Sequence, residues 1–288
     1  MHGTSKKRHG LMLRCGESSF LAKPLPQLAG NPPHKMKKAI ILSAGQGSRL
    51  GHLTDDRPKC LIEFNGRTLL DRQLDALAAN GIEEAVVVTG FRDDQIEAAL
   101  KRRGDAAPYV RTVYNPFYKV ADNLGSLFIA RDEIAGDVLV WNGDTLVSEA
   151  LMARVVGNCE QDGICVTIDR KDGYDEDDMK VVVDEAGRLH AIGKRLDLAE
   201  VNAESIGLLA FRGAGAQRFR HAIERAIRTG EGTTIWYLRV IHQIAQEAPV
   251  WTLDISGDEW GEVDFPEDVE SAEALTARWD ATRKSVAA

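Results

Sequence analysis

The chain of 288 residues carries 44% apolar and 28% charged side chains, ordinary for a globular protein and enough for a sizeable core. A net charge of −8 argues against a nucleic-acid surface, and no uninterrupted apolar run approaches membrane-spanning length. The cysteines Cys15, Cys60, Cys159 and Cys165 show neither C-x-x-C nor zinc-ligand spacing, so they are read as reduced thiols of a cytoplasmic protein.

Residues 1–35 differ from the rest. Lys6, Lys7, Arg8 and His9 are basic, and Pro24, Pro26, Pro32 and Pro33 punctuate a stretch without sustained periodicity. The apolar run at 11–13 is far too short for a secretion signal. This segment is expected to be a disordered N-terminal extension or an over-long gene start, leaving 36–288 as a single domain.

Ala39 to Leu42 form a continuous apolar run, the mark of a strand buried on both faces. The run breaks at Ser43–Ser48, where Ala44, Gly45, Gly47 and Ser48 let backbone approach a ligand and offer N–H groups to phosphate oxygens. Arg49 and Lys59 return two cations to the same place. The dinucleotide fingerprint G-x-G-x-x-G fails, because Leu50 stands where its third glycine belongs. The P-loop spacing is absent too. What remains is A-G-x-G-x-R-L followed by P-K, read as a polyphosphate site.

Further along, 61–64 with Asn65 and Gly66 predicts a short strand and turn. Helical spacing marks 68–80 and 93–102, and buried strands are expected at 85–89 and 110–114. Alternation of strand and helix predicts an α/β fold with a doubly wound, mostly parallel sheet and ligands at the strands' carboxyl ends. Asn123 and Ser126 open the next helix, where they serve either as caps or as readers of a nucleobase edge. The strand 137–144 delivers Asp144 to its carboxyl end, placed to cap a helix or to ligate a divalent cation.

A strand at 164–169 leads into the acidic run from Tyr174 to Asp178, then a β-hairpin over 180–192 flanked by Lys180 and Lys194. A strand at 204–211, helices at 215–228 and 234–247, and a last strand at 250–255 follow. The chain then runs Trp260-Gly-Glu-Val-Asp264-Phe-Pro266-Glu-Asp268, with Pro266 suited to the first turn of a final helix.

In order, A-G-x-G-x-R-L, P-K, N-x-x-S, G-D and W-x-E-V-D-x-P-E-D resemble the motifs of the sugar-phosphate nucleotidyltransferase superfamily. The later ones are similar to its phosphocholine cytidylyltransferase (LicC-like) branch. The resemblance covers roughly 37–280. It implies a Rossmann-like nucleotidyltransferase fold with an inserted β-hairpin acceptor region, and Mg²⁺ held by Asp144 and Asp264. It also implies Arg49 and Lys59 as catalytic cations on the triphosphate, with Asn123 and Ser126 favouring cytosine. Lys180 and Lys194 would meet the acceptor's phosphate.

The implied partners are CTP and a small phosphorylated acceptor, with phosphocholine foremost. A quaternary ammonium calls for aromatic faces, for which Trp260 and Tyr174 are best placed, with Trp236 and Tyr118 behind them. The acidic run could instead pair with the amine of phosphoethanolamine or 2-aminoethylphosphonate. A sugar-1-phosphate or inositol-1-phosphate nucleotidyltransferase is the nearest alternative, and a silent nucleotide-sensing homologue the one from another class. The latter is disfavoured because Arg49, Lys59, Asp144 and Asp264 are all present. Nucleic acid and membrane insertion are not expected, and a homodimer stays open.

Overall fold

The computed structural model describes residues 36–158 and 163–287. The expectation for 1–35, with Cys15, and the residue Cys159 lie outside the described residues. β1 (Lys38–Ser43) passes through two short 3₁₀ segments into the hairpin β2 (Glu63–Phe64) and β3 (Arg67–Thr68). The alternating part follows as α1 (Leu69–Ala79), β4 (Glu84–Thr89), α2 (Asp93–Arg103), β5 (Tyr109–Tyr114), α3 (Asn123–Ile129) and β6 (Val138–Asn142). Next come β7 (Thr145–Val147), α4 (Glu149–Asn158), β8 (Gly163–Asp169), the hairpin β9 (Lys180–Val183) and β10 (Leu189–Gly193), and β11 (Ala203–Arg212). The chain closes with α5 (Ala214–Ala226), α6 (Tyr237–Glu247), β12 (Trp251–Asp254), β13 (Trp260–Glu262) and α7 (Pro266–Ala287).

A nine-stranded sheet holds the fold together. β1 lies between β4 and β6 and is parallel to both, and β5 extends the parallel run. β11 runs against β6, β8 and β9, β12 is parallel to β8, and β10 returns along β9. All strands but β10 and β11 therefore point the same way, the mostly parallel sheet expected. Ile40 faces the layer of α3, α5 and α6, while Ala39 and Ile41 face α1, α2 and α4. Both faces are dry, which explains the unbroken apolar run. Each of the two isoleucines contributes about 1.5–3 kcal/mol by burial.

Local signals explain the element ends. Thr68 caps α1 by accepting from the Asp71 N–H at 3.0 Å. Asn65 (φ 52°) and Gly66 (φ 75°) make the left-handed turn that a two-residue hairpin needs. The helix expected from 234 begins at Tyr237 instead, because the N–H of Tyr237 is already capped by another element, described below.

The sequence reading contains neither β7 nor β13. They pair antiparallel, Glu262 opposite Thr145 and Trp260 opposite Val147, as a two-stranded sheet outside the main one. A third cluster of Leu50, Ile62, Phe64, Leu69, Leu146, Val263 and Ala272 joins this small sheet to the glycine loop and to α7. That cluster fixes the last part of the chain against the first.

Candidate active site

β1 and β6 are adjacent, and the chain leaves β1 toward β4 on one side while β6 fills the other. The carboxyl ends of these two strands form the switch point where open α/β sheets place ligands. The glycine loop leaves β1 there, and Asp144 leaves β6 there.

Gly47 adopts φ 75°, ψ 40°, and a Cβ on it would lie 3.0 Å from Cβ and Cδ of Lys59. Its carbonyl accepts from the Leu50 N–H at 3.0 Å and the Thr54 hydroxyl at 2.8 Å, which turns the loop sharply into the 3₁₀ segment. Among the described residues, none accepts a hydrogen bond from the N–H groups of Gly45, Gln46, Gly47 or Ser48. Exposed Gly45 and Ser48 leave this backbone open to an anion.

The two cations meet the two aspartates. Lys59 Nζ lies 3.1 Å from Asp144 Oδ2 and is hydrogen-bonded to Asp264 Oδ1. Arg49 Nη2 is 2.6 Å from Asp264 Oδ2, and its guanidinium stacks 4.9 Å from the Phe265 ring centroid. Burial opposes the charge of Lys59, but the pull of Asp144 and Asp264 exceeds it and raises the lysine's pKa.

Glu262, given no role in the sequence reading, is the third carboxylate. Ligand oxygens of Asp144, Glu262 and Asp264 all lie within 4.8 Å of one another. Pairing of β13 with β7 brings them together, and the Val263 N–H donates to the Asp144 carbonyl at 3.1 Å to extend the ladder. Val263 is buried between Glu262 and Asp264, which share a face. The E-V-D spacing carried that signal. Glu262 is exposed, yet protein packed on its inner side desolvates it, and this, then Asp144 and Asp264, pushes its carboxyl up to about 8.

A buried network holds Asp144 in place. Gln73 Nε2 donates to the carbonyls of Asn142 at 2.8 Å and Thr145 at 3.0 Å, spanning the turn that carries Asp144. Tyr237 Oη donates to Asn142 Oδ1 at 3.2 Å. Gln73 and Tyr237 were not singled out in the sequence, because nothing in their spacing separates them from other helix residues.

The positions expected to read the base also hold the protein together. Asn123 Oδ1 accepts from the Tyr237 N–H at 2.9 Å, capping α6, while Asp122 caps α3. Ser126 is buried, and its hydroxyl accepts from Asn115 Nδ2 at 3.0 Å. Ser126 thus supports the loop before α3 from behind, and only the amide NH₂ of Asn123 is left to meet a base.

On the acceptor side, Lys180 is held by the protein itself. Its ammonium is buried and donates to the carbonyls of Asp175, Asp178 (3.4 Å) and Lys194 (3.1 Å), which uses its three donors. It clamps the acidic loop to the hairpin's exit. Lys194 does face the cleft, with Nζ 3.3 Å from Asp177 Oδ1 and 5.1 Å from the Trp236 ring centroid. The same Asp177 oxygen lies 3.6 Å from Arg49 Nη1.

No open aromatic cage stands among the expected residues. Trp260 is pinned by its ring nitrogen to Asp169 at 2.7 Å and packs against the core, and the Tyr174 ring lies 5.8 Å from Lys171 Nζ. Lys171 also bridges Asp178 (2.8 Å) and Glu204 (3.0 Å). Burial pushes Glu204 up to about 7 against the opposing pull of Lys171.

An open glycine loop and a carboxylate cluster thus face each other across one strand boundary. An open loop on one side and clustered carboxylates on the other make a site suited to a polyphosphate and a hard cation. Residues 39–227 match the model of the MobA-like NTP transferase domain, and the chain belongs to that family. The match ends before the segment that supplies Glu262 and Asp264.

The chain is 25% identical over 248 residues to choline-phosphate cytidylyltransferase of Streptococcus pneumoniae, covering 83% of this chain and 97% of that one. It is 28% identical over 212 residues to 2-aminoethylphosphonate cytidylyltransferase of Lancefieldella rimae, covering 72% and 80%. The solved structure of the CTP:phosphocholine cytidylyltransferase from Streptococcus pneumoniae superposes with a TM-score of 0.67 at 23% identity, over 84% of this chain and 99% of that one. The fold is shared. No helix among the described residues is long and apolar enough to cross a membrane.

Proposed function

We propose that this chain, acting through residues 36–288, is a Mg²⁺-dependent cytidylyltransferase. It transfers CMP from CTP to a small phosphorylated amino alcohol or an aminoalkylphosphonate and releases pyrophosphate. The observation that carries this reading is the convergence of Lys59, Asp144, Glu262 and Asp264 beside an open glycine loop. The relatives that act on choline phosphate and on 2-aminoethylphosphonate support the acceptor class.

Three carboxylates with oxygens this close fit a hard divalent cation. Asp144 and Asp264 would hold it, with Glu262 as third oxygen donor or as support. When bound, such an ion supplies charge neutralisation and a Lewis-acid template.

The protein's own residues do the rest. Backbone N–H groups of Gly45 to Ser48 cradle phosphate oxygens, and Arg49 and Lys59 hold the triphosphate in line. An acceptor phosphate oxygen attacks the α-phosphorus; the new P–O bond forms as the bond to the β-phosphate oxygen breaks, and pyrophosphate leaves with that electron pair. The nucleophile is already an anion at neutral pH, so no general base is needed. Preorganised cations stabilise the charge that gathers on the leaving group.

The test is pyrophosphate release with Mg²⁺, crossing CTP, UTP, ATP and GTP with phosphocholine, phosphoethanolamine, 2-aminoethylphosphonate, inositol-1-phosphate and glucose-1-phosphate. Turnover confined to CTP and amine-bearing acceptors is the expected result. Turnover with a sugar or inositol phosphate instead would overturn the acceptor class, and silence across the grid would overturn the activity.

A further inference from the structure

The segment from Lys171 to Asp178 carries a positive and a negative charge into the acceptor side of the cleft, and each is held as a ligand would be. Lys171 Nζ lies 2.8 Å from Asp178 Oδ2 and 3.0 Å from Glu204 Oε2, with the Tyr174 ring centroid at 5.8 Å. Asp177 offers one oxygen to two cations, Lys194 at 3.3 Å and Arg49 at 3.6 Å. Glu204 is buried at the start of β11, so its carboxylate is fixed by the sheet. The loop that brings these charges is clamped by Lys180 and by Asp175 Oδ1, which accepts from the N–H groups of Asp177 and Asp178.

We propose that this segment is a built-in mimic of the acceptor: Lys171 occupies the seat of a primary amine, and Asp177 the seat of phosphate or phosphonate oxygens. The inference rests on the cytidylyltransferase reading above and deepens it. The anion seat is made by Arg49 and Lys194, outside the segment, and the cation seat by Glu204, outside it, together with the segment's own Asp178. A zwitterionic acceptor therefore replaces two intramolecular ion pairs with two of its own, and neither seat is left bare in either state.

The cation seat also selects among amines. Two carboxylate oxygens at hydrogen-bond distance receive N–H donors, which a primary ammonium supplies and a trimethylammonium lacks. Trp236, the exposed aromatic nearby, has Lys194 against its ring. The acceptor class that fits is an ω-amino phosphate or phosphonate, ahead of its quaternary counterpart.

Calorimetric titration of the full chain with 2-aminoethylphosphonate, phosphoethanolamine, phosphocholine and methylphosphonate tests this, comparing wild type with Lys171→Met and Asp177→Asn. Removing a stand-in returns the fraction of sites it blocked, so affinity rises by about fivefold, the factor expected for one partly exposed ion pair. Lys171→Met is expected to tighten only the amine-bearing ligands, and Asp177→Asn to tighten methylphosphonate as well. Phosphoethanolamine is expected to bind more tightly than phosphocholine.

Unchanged or weaker binding in Lys171→Met would make the lysine a structural ion pair and overturn the mimic, as would tighter binding of phosphocholine. Lys171→Gln, which keeps a hydrogen-bond donor, is the second variant should Lys171→Met fail to fold. Pyrophosphate release by the wild type separates the two ideas. Turnover with an amine-bearing acceptor but no gain in Lys171→Met sinks the mimic alone, whereas no turnover sinks the cytidylyltransferase reading beneath it.

Discussion

Gly143 joins β6 to Asp144, and its N–H donates to the Leu42 carbonyl of β1 at 3.0 Å. A Cβ built on it would stand 2.5 Å from Ser43 Oγ and nearer still to the Leu42 carbonyl oxygen. Carbon–oxygen contacts settle near 3.3 Å, so Gly143→Ala must open the β1–β6 boundary by at least about 0.8 Å. The obstacle includes sheet backbone, which cannot rotate away as a side chain can. The displacement passes to Asp144, the next residue, while Asp264 and Lys59 stay anchored by the small sheet and the 3₁₀ segment.

A misplacement approaching 1 Å at a reacting centre costs about 10²-fold in rate, and overpacking of this kind costs about 1–3 kcal/mol of stability. Gly143→Ala is therefore expected to lower kcat for pyrophosphate release by about 10²-fold and to shift the urea midpoint downward. A variant within about threefold of wild-type kcat and with an unshifted midpoint would refute the claim that this close approach fixes Asp144.

Lys59→Met should lower kcat by about 10²–10³-fold, the usual loss on removing one preorganised transition-state contact, as read by single-turnover kinetics. Glu262→Gln should raise the Mg²⁺ concentration for half-maximal rate by about tenfold, near the low end reported for groups that support metal ligands; an unchanged Mg²⁺ curve would remove Glu262 from the set. Asn123→Ala should cost about 1 kcal/mol in urea unfolding because α6 loses its cap, while Asn123→Asp should keep it. A changed CTP-to-UTP preference without loss of stability would return Asn123 to base reading alone. Cys60 is buried, which pushes its thiol up to about 12; its thiolate should be about 10³-fold scarcer than usual at pH 8. Alkylation followed by peptide mass spectrometry should find it protected until the chain is denatured.

What could be read from the sequence was what depends on neighbours in the chain. The strands β1, β4 and β6 announce themselves because burial on two faces demands uninterrupted apolar residues. The glycine loop does so because backbone exposed to phosphate demands small ones. Asp144 and Asp264 stood out by their place after a strand and before a proline. The three-residue strands β7 and β13 are too short to show a period, and their pairing is fixed by the third core cluster, which draws on residues from Leu50 to Ala272. Without that pairing Glu262 looks like any exposed acid. The surroundings of Lys180 were hidden for a related reason: a lysine flanking a hairpin is ordinarily solvated, and only the folded loop brings three carbonyls to its ammonium. Asn123 was ambiguous in kind, and the structure gives its oxygen to a helix distant in sequence.

The carboxylate set has a temporal consequence as well as a spatial one. Asp144 hangs from the middle of the chain, while Glu262 and Asp264 arrive with β13 and the start of α7, which is tied back to α1 by paired hydrogen bonds from Arg72 to Asp280 at 3.0 and 2.9 Å. The glycine loop and Asp144 come from residues before 145, so the carboxylate set is complete only once β13 and the start of α7 have docked.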